Sequence, residues 1–103
     1  MKGRPYSLEI SEEAEIDFDD SYEYYYDESP NLANAFFQRI NASFEIIKKS
    51  PLLFQDIHNT LRKFTVKQFA FVIYYQVVGC SIKIIAIFHS SRNPIIWKER
   101  IED

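Results

Sequence analysis

Residues 69–88 read FAFVIYYQVVGCSIKIIAIF, and this stretch decides the fold. Phe69 to Val77 is rich in β-branched and aromatic side chains, which fit a pleated strand with little exposure. Val78-Gly79-Cys80 is a tight turn, and Ser81 to Phe88 is the return strand. Ile82, Ile84, Ala86 and Phe88 alternate onto one face. Ile85 and Ile87 make the other face apolar too, so both sides of the sheet are expected to be covered near the strand's end.

Working outward, Arg62 to Lys67 alternates as a further strand, and Pro51 to Thr60 is expected as a loop that returns Leu52, Leu53 and Phe54 to the core. Local connections between these last three strands imply an antiparallel meander. Upstream the period becomes helical. Ala33, Phe36, Phe37, Ile40, Phe44 and Ile47 share a helical face. Ser29-Pro30 opens that helix as cap and first-turn proline, and Ser50-Pro51 closes it. An earlier helix is capped by Ser11, carries Glu12, Glu13 and Glu15 in its first turn, sets Ala14, Phe18, Tyr22 and Tyr25 on one face and runs to about Glu28. Tyr6 to Ile10 precedes it as a short strand. After Phe88 comes a polar tail, with Pro94 opening a last helical turn through Trp97 and Arg100. The expectation is one α+β domain over residues 1–103, β-α-α-β-β-β, with a helix hairpin on an antiparallel sheet and a short C-terminal helix.

Composition excludes several function classes. The chain has 103 residues, 47% of them hydrophobic and 17% aromatic, enough for a core and too many for a disordered segment. Only two glycines occur, so no glycine-rich loop can cradle a phosphate. A single cysteine, Cys80, permits neither an internal disulfide nor a thiolate zinc cluster, which suits a reducing cytoplasm. It has no histidine or lysine beside it to activate it, so a structural thiol is expected. His58 and His89 are too few for a zinc site, and Asp17, Asp20, Glu23 and Asp27 are expected to form a solvated acidic stripe, so neither metal nor cofactor is expected. Met1 to Ile10 lacks the apolar segment of a signal peptide. The apolar runs fall well short of the ~18 residues of a membrane span. The net charge of −3 is unevenly laid out: residues 1–50 carry eleven acids and five bases, residues 51–103 four acids and seven bases. A uniformly basic nucleic-acid binder would not look like this, although the C-terminal half could present a local basic face.

The order of these elements resembles the RelE/ParE toxin superfamily. The carriers are the opening Tyr6-Ser-Leu-Glu-Ile-Ser-Glu-Glu-Ala14, the hairpin residues Ser29-Pro30 with Ala33, Phe36 and Ile40, then Pro51 and Arg62, and above all His89, Arg92, Pro94, Trp97 and Arg100 after the last strand. The resemblance spans nearly the whole chain. It implies the toxin of a bacterial type II toxin–antitoxin system of the plasmid-stabilising kind, neutralised by a cognate antitoxin. Its target would be DNA gyrase, as for ParE-like members, or the ribosome and its mRNA, as for RelE-like members. A homodimer and a heterotetramer with the antitoxin both stay open.

Were the chain a metal-independent endoribonuclease, Arg62, His89 and Arg92 would supply the acid–base group and the cations that RNA cleavage needs. For RNA-cleaving members the resemblance implies a strongly basic chain with a tyrosine near the C-terminus; this chain is acidic and has no tyrosine after Tyr75, and Trp97 can stack on a base but cannot transfer a proton. A gyrase-directed toxin needs a complementary surface with aromatic and arginine anchors, for which Lys63, Arg92, Trp97 and Arg100 are the candidates. The bland alternatives are that His89 and Arg92 terminate a strand, that Trp97 pins the tail, and that the chain is a relic binding an antitoxin without poisoning anything. Tyr22 and Tyr25 are expected in the core, with Tyr24 and Tyr26 exposed for a protein contact.

Overall fold

The computed structural model describes residues 5–58, 60–92 and 98–101. A short strand, β1 (Ser7–Ile10), leads into α1 (Glu12–Glu28) and α2 (Pro30–Lys49). Four strands follow: β2 (Gln55–His58), β3 (Leu61–Val66), β4 (Phe71–Val78) and β5 (Ser81–His89). They form one sheet in the order β1-β5-β4-β3-β2. β2 to β5 are an antiparallel meander, and β1 lies parallel to the first half of β5, from Ser7 beside Ser81 to Ile10 beside Ile84. The expected α+β class holds, with one parallel pair at the sheet edge.

Both helices begin where a serine can satisfy their free N–H groups. Ser11 Oγ accepts from the Ala14 amide at 3.1 Å. Ser29 serves twice: its amide donates to the Tyr25 carbonyl at 2.8 Å and ends α1, while its hydroxyl accepts from the Leu32 amide and opens α2. One residue therefore reverses the chain and sets the hairpin. Ala33, Phe36, Ile40, Phe44 and Ile47 are the buried face of α2. Phe36, Ile40, Phe44 and Ile47 pack with Ala14 on Val66, Phe71, Ile73, Tyr75, Ile82, Ile84 and Ile87 of the sheet, the main core. Phe37, expected on this face, is nearly half exposed.

The strands and the loops between them depart from the sequence reading in four places. Gln55–His58, expected as loop, forms β2 and pairs with Leu61, Arg62 and Lys63. Leu52 and Leu53 face solvent instead of the core, because the loop is anchored by main-chain carbonyls rather than by its side chains. β4 starts at Phe71, since residues 67–70 form a turn in which the Ala70 amide donates to the Lys67 carbonyl. In β5 a register shift opposite Tyr74 and Tyr75 leaves Ile85 unpaired as an extra residue. Ile82, Ile84 and Ile87 consequently face the helices, while Ile85, Ala86 and Phe88 face away.

That opposite face carries a second, smaller apolar cluster of Leu61, Val72, Tyr74, Ile85, Ala86 and Phe88, with Ile57 and Ile101 packed against it. Of the expected C-terminal helical turn, Pro94 and Trp97 lie outside the described residues, and a single turn at Lys98–Glu99 is present.

Candidate functional site

The sheet separates the candidate residues. Antiparallel register places directly opposed residues on the same face. Arg62 opposes Tyr75, and His89 opposes Phe71, so both belong to the helix-covered face. They stand at opposite ends of it. The row of Arg62 runs through Tyr75 to Ile84, and the row of His89 runs through Phe71 to Val66. Four residues along β3 correspond to ~13 Å, before the sideways distance between strands is added. Arg62 and His89 do not converge.

The neighbours of Arg62 give it a different task. Its Nη1 donates to the carbonyls of Phe54 at 2.8 Å and Leu52 at 3.3 Å. Beside it the Tyr75 hydroxyl donates to the Pro51 carbonyl at 2.7 Å. Together the two side chains hold residues 51–54 against the end of the sheet. Burial pushes the Tyr75 hydroxyl up to about 12, and the Arg62 charge pulls it partly back.

His89 is exposed at the end of β5, edge-on to Phe71 with ring centroids 5.4 Å apart. Its Nδ1 accepts from the Ser91 amide at 3.2 Å and lies 2.8 Å from the Ser91 hydroxyl. An accepting Nδ1 assigns the proton of the neutral ring to Nε2. Arg92 follows in a turn whose amide donates to the His89 carbonyl at 2.9 Å. Its guanidinium lies 4.5 Å from the centre of the Phe88 ring, on the face away from the helices. Lys63 opposes Tyr74 on that same face.

Arg100 reaches the same ring, at 4.9 Å. Its Nη1 and Nη2 donate to the two carboxylate oxygens of Asp17, at 2.6 and 3.1 Å, and Nη1 also donates to the Ile85 carbonyl at 3.1 Å. Asp17 Oδ2 accepts in addition from the Ile87 amide at 3.0 Å. The geometry has a clear origin. β1 pairs with β5 only as far as Ile84, so beyond that point the β5 edge faces no strand. Asp17 and Arg100 take up the amide and the carbonyl there, with the Ser11 hydroxyl 3.4 Å from the same carbonyl. A bidentate arginine–carboxylate pair thus closes a strand edge and ties α1 to the tail.

Asp17 was expected in a solvated stripe. It is 7% exposed instead, and the sequence did carry the signal. It falls three residues after Ala14, on the very face that Ala14 and Phe18 define, where a carboxylate requires a partner. Trp97 lies outside the described residues. Among those described, no group of three His, Cys, Asp or Glu side chains could hold a metal ion. No helix among them is long and apolar enough to cross a membrane.

Chemically, the site brings together arginine cations and an aromatic ring on the outer sheet face, with one exposed imidazole at its margin. That set suits binding an acidic or anionic surface.

Known proteins resemble the chain in fold and in family. A chain of the chromosomal ParDE toxin–antitoxin system from P. aeruginosa superposes with a TM-score of 0.72 at 22% identity, covering 82% of this chain and 95% of that one. The isolated RelE toxin of E. coli superposes with a TM-score of 0.62 at 13% identity, covering 91% of this chain and 94% of that one. At such identities the likeness establishes the fold. No curated protein matches the sequence. The family model of the ParE toxin of type II toxin–antitoxin systems, parDE, matches residues 8–94. That match runs from β1 past the end of β5, and the chain belongs to the ParE toxin family.

Proposed function

We propose that this protein is the growth-arresting toxin of a type II toxin–antitoxin pair, that a cognate antitoxin neutralises it in the cytoplasm, and that it acts by binding DNA gyrase rather than by cutting RNA. The observation that carries the reading is the ParE family match over residues 8–94. Two features support a binding mode over a nucleolytic one. Arg62 is occupied with the carbonyls of residues 52 and 54, away from His89. The net charge of −3 gives little general attraction to ribosomal RNA. The outer sheet face, with Arg92 on Phe88 and Lys63 beside Tyr74, is the surface we assign to the target.

The test is inducible expression in a bacterial host, with growth, nucleoid shape and integrity of a reporter mRNA scored in the same cells, and gyrase supercoiling measured with purified protein. Arrest with intact mRNA and lost supercoiling is the expected result. Arrest with cut mRNA and normal supercoiling would overturn it in favour of an endoribonuclease. Unimpaired growth, with soluble protein and normal supercoiling in vitro, would identify a relic that binds an antitoxin only.

A further inference from the structure

We propose that this chain binds a second copy of itself, the loop 51–54 of one copy entering a hollow between α1 and α2 of the other.

The projecting half is built by its anchors. The Tyr75 hydroxyl donates to the Pro51 carbonyl at 2.7 Å, and Arg62 Nη1 donates to the carbonyls of Leu52 and Phe54. The Leu53 amide donates to the Ser50 carbonyl at 3.1 Å. With its main chain fixed against the end of the sheet, the loop turns the Leu52 and Leu53 side chains outward, 56% and 73% exposed. A buried tyrosine and an arginine thus hold two leucines in water. Adjacent apolar side chains on a loop that is already ordered lose little entropy on docking and mark an interaction site. Lys48 and Lys49 stand beside them at the end of α2, both exposed and without a salt bridge among the described residues. Their position complements the helix dipole, which accounts for the lysines and not for the leucines.

The receiving half lies in the helix layer. A hollow of about 310 Å³ opens between α1 and α2, with Ile10, Phe18, Phe37 and Phe44 as apolar lining. Phe37 stays 46% exposed there, with its ring centroid 5.9 Å from that of Phe18. Glu15 and Asp19, one turn apart on α1, also line the hollow. Both are exposed and make no salt bridge among the described residues. No basic residue among those described lines it.

The two features complement each other in shape and in charge. Docking covers the leucines with phenylalanine rings and sets Lys48 and Lys49 against Glu15 and Asp19. Within one copy the two do not meet, because both leucines are exposed. An anionic lipid surface would take the loop alone and be repelled by the carboxylates of the hollow. A cationic small molecule would take the hollow alone and leave the leucines in water. A second copy satisfies both.

The test is sedimentation velocity of the full chain over a range of concentrations, with thermal unfolding recorded for every variant. The wild-type chain should pass from single copies to larger species as concentration rises. Leu52→Ser with Leu53→Ser removes only exposed apolar surface, so it should unfold as the wild type does and associate roughly tenfold more weakly. Two charge-reversed chains make the sharper comparison: Lys48→Glu with Lys49→Glu, and Glu15→Lys with Asp19→Lys. Alone, each sets like charges together and should associate roughly tenfold more weakly than the wild type. Mixed in equal amounts, every loop meets a hollow of opposite sign, and association should return. A wild-type chain that stays single at every concentration would overturn the proposal and assign loop and hollow to separate partners. A serine variant that associates as the wild type does, or a mixture of cooperatively unfolding variants that stays apart, would overturn it as well. No step depends on toxicity, so the toxin reading and this contact fail separately.

Discussion

At the residue scale, two polar side chains decide how the ends of the sheet are held. Asp17 and Arg100 form the salt bridge across the open β5 edge, with side chains 6% and 15% exposed. Removing either leaves a poorly solvated charge, so Asp17→Ala and Arg100→Ala should each lose roughly 3 kcal/mol in denaturant unfolding. The double variant should lose less than the sum. Asp17→Asn should be milder than Asp17→Ala, since an amide oxygen can still accept from the Ile87 amide. Strictly additive losses would show that the pair does not act as a unit. Tyr75 gives a pH prediction. Its hydroxyl is raised from the ordinary 10.0 to about 12 by burial, so the folded state favours the protonated form. The stability this contributes is fully present below pH 10 and is lost as pH rises from 10 through about 12. Tyr25 and Tyr74 shift in the same direction through burial and steepen the loss. Tyr75→Phe should cost about 1 kcal/mol at neutral pH by unpairing the Pro51 carbonyl, and should flatten the alkaline slope. An unchanged slope in unfolding curves taken across that window would count against the assignment.

At the element scale, local chemistry and register compete. The helices were legible because Ser11 and Ser29-Pro30 mark their starts and because the apolar period of α2 is clean. The strands were legible as strands, but not in their pairing. Nothing local in residues 55–58 announces β2, which exists because Leu61–Lys63 offers an edge. The extra residue in β5 was equally hidden, because a continuous run of isoleucines carries no mark of where alternation slips. The turn before β4 holds a testable strain. Ala70 has φ +54°, a left-handed value that costs a residue with a Cβ about 1 kcal/mol. Ala70→Gly should therefore raise the melting temperature by roughly 4–8 °C per kcal/mol recovered. A fall would mean that the unfolded-state entropy of glycine outweighs the relief. Gly79, at φ +61° in the β4–β5 turn, already meets the same requirement.

At the scale of the whole molecule, eight of the nine acids of α1 are exposed on the helix layer, while Lys63 and Arg92 lie on the outer sheet face. Arg92 is the cleanest probe of that face, being exposed and making no salt bridge among the described residues. Arg92→Glu should weaken growth arrest several-fold at an unchanged melting temperature, whereas His89→Ala should leave arrest intact. The reverse pattern in plating assays would make His89 an acid–base catalyst and favour the endoribonuclease reading instead. Arg100, a sequence candidate for target binding, is a poorer probe, because its loss also releases the tail from Asp17.

By itself the sequence determined the fold class, the helix hairpin, the meander and the family resemblance, because capping, periodicity and turn chemistry act between neighbours a few residues apart. Only the tertiary structure decided that Arg62 serves the 51–54 loop, that Arg62 and His89 stand in different rows, and that the partner of Asp17 is Arg100. Those outcomes depend on which strands lie side by side and where their edges end. They are set by contacts between residues as far apart as 17 and 100, which no local period can encode.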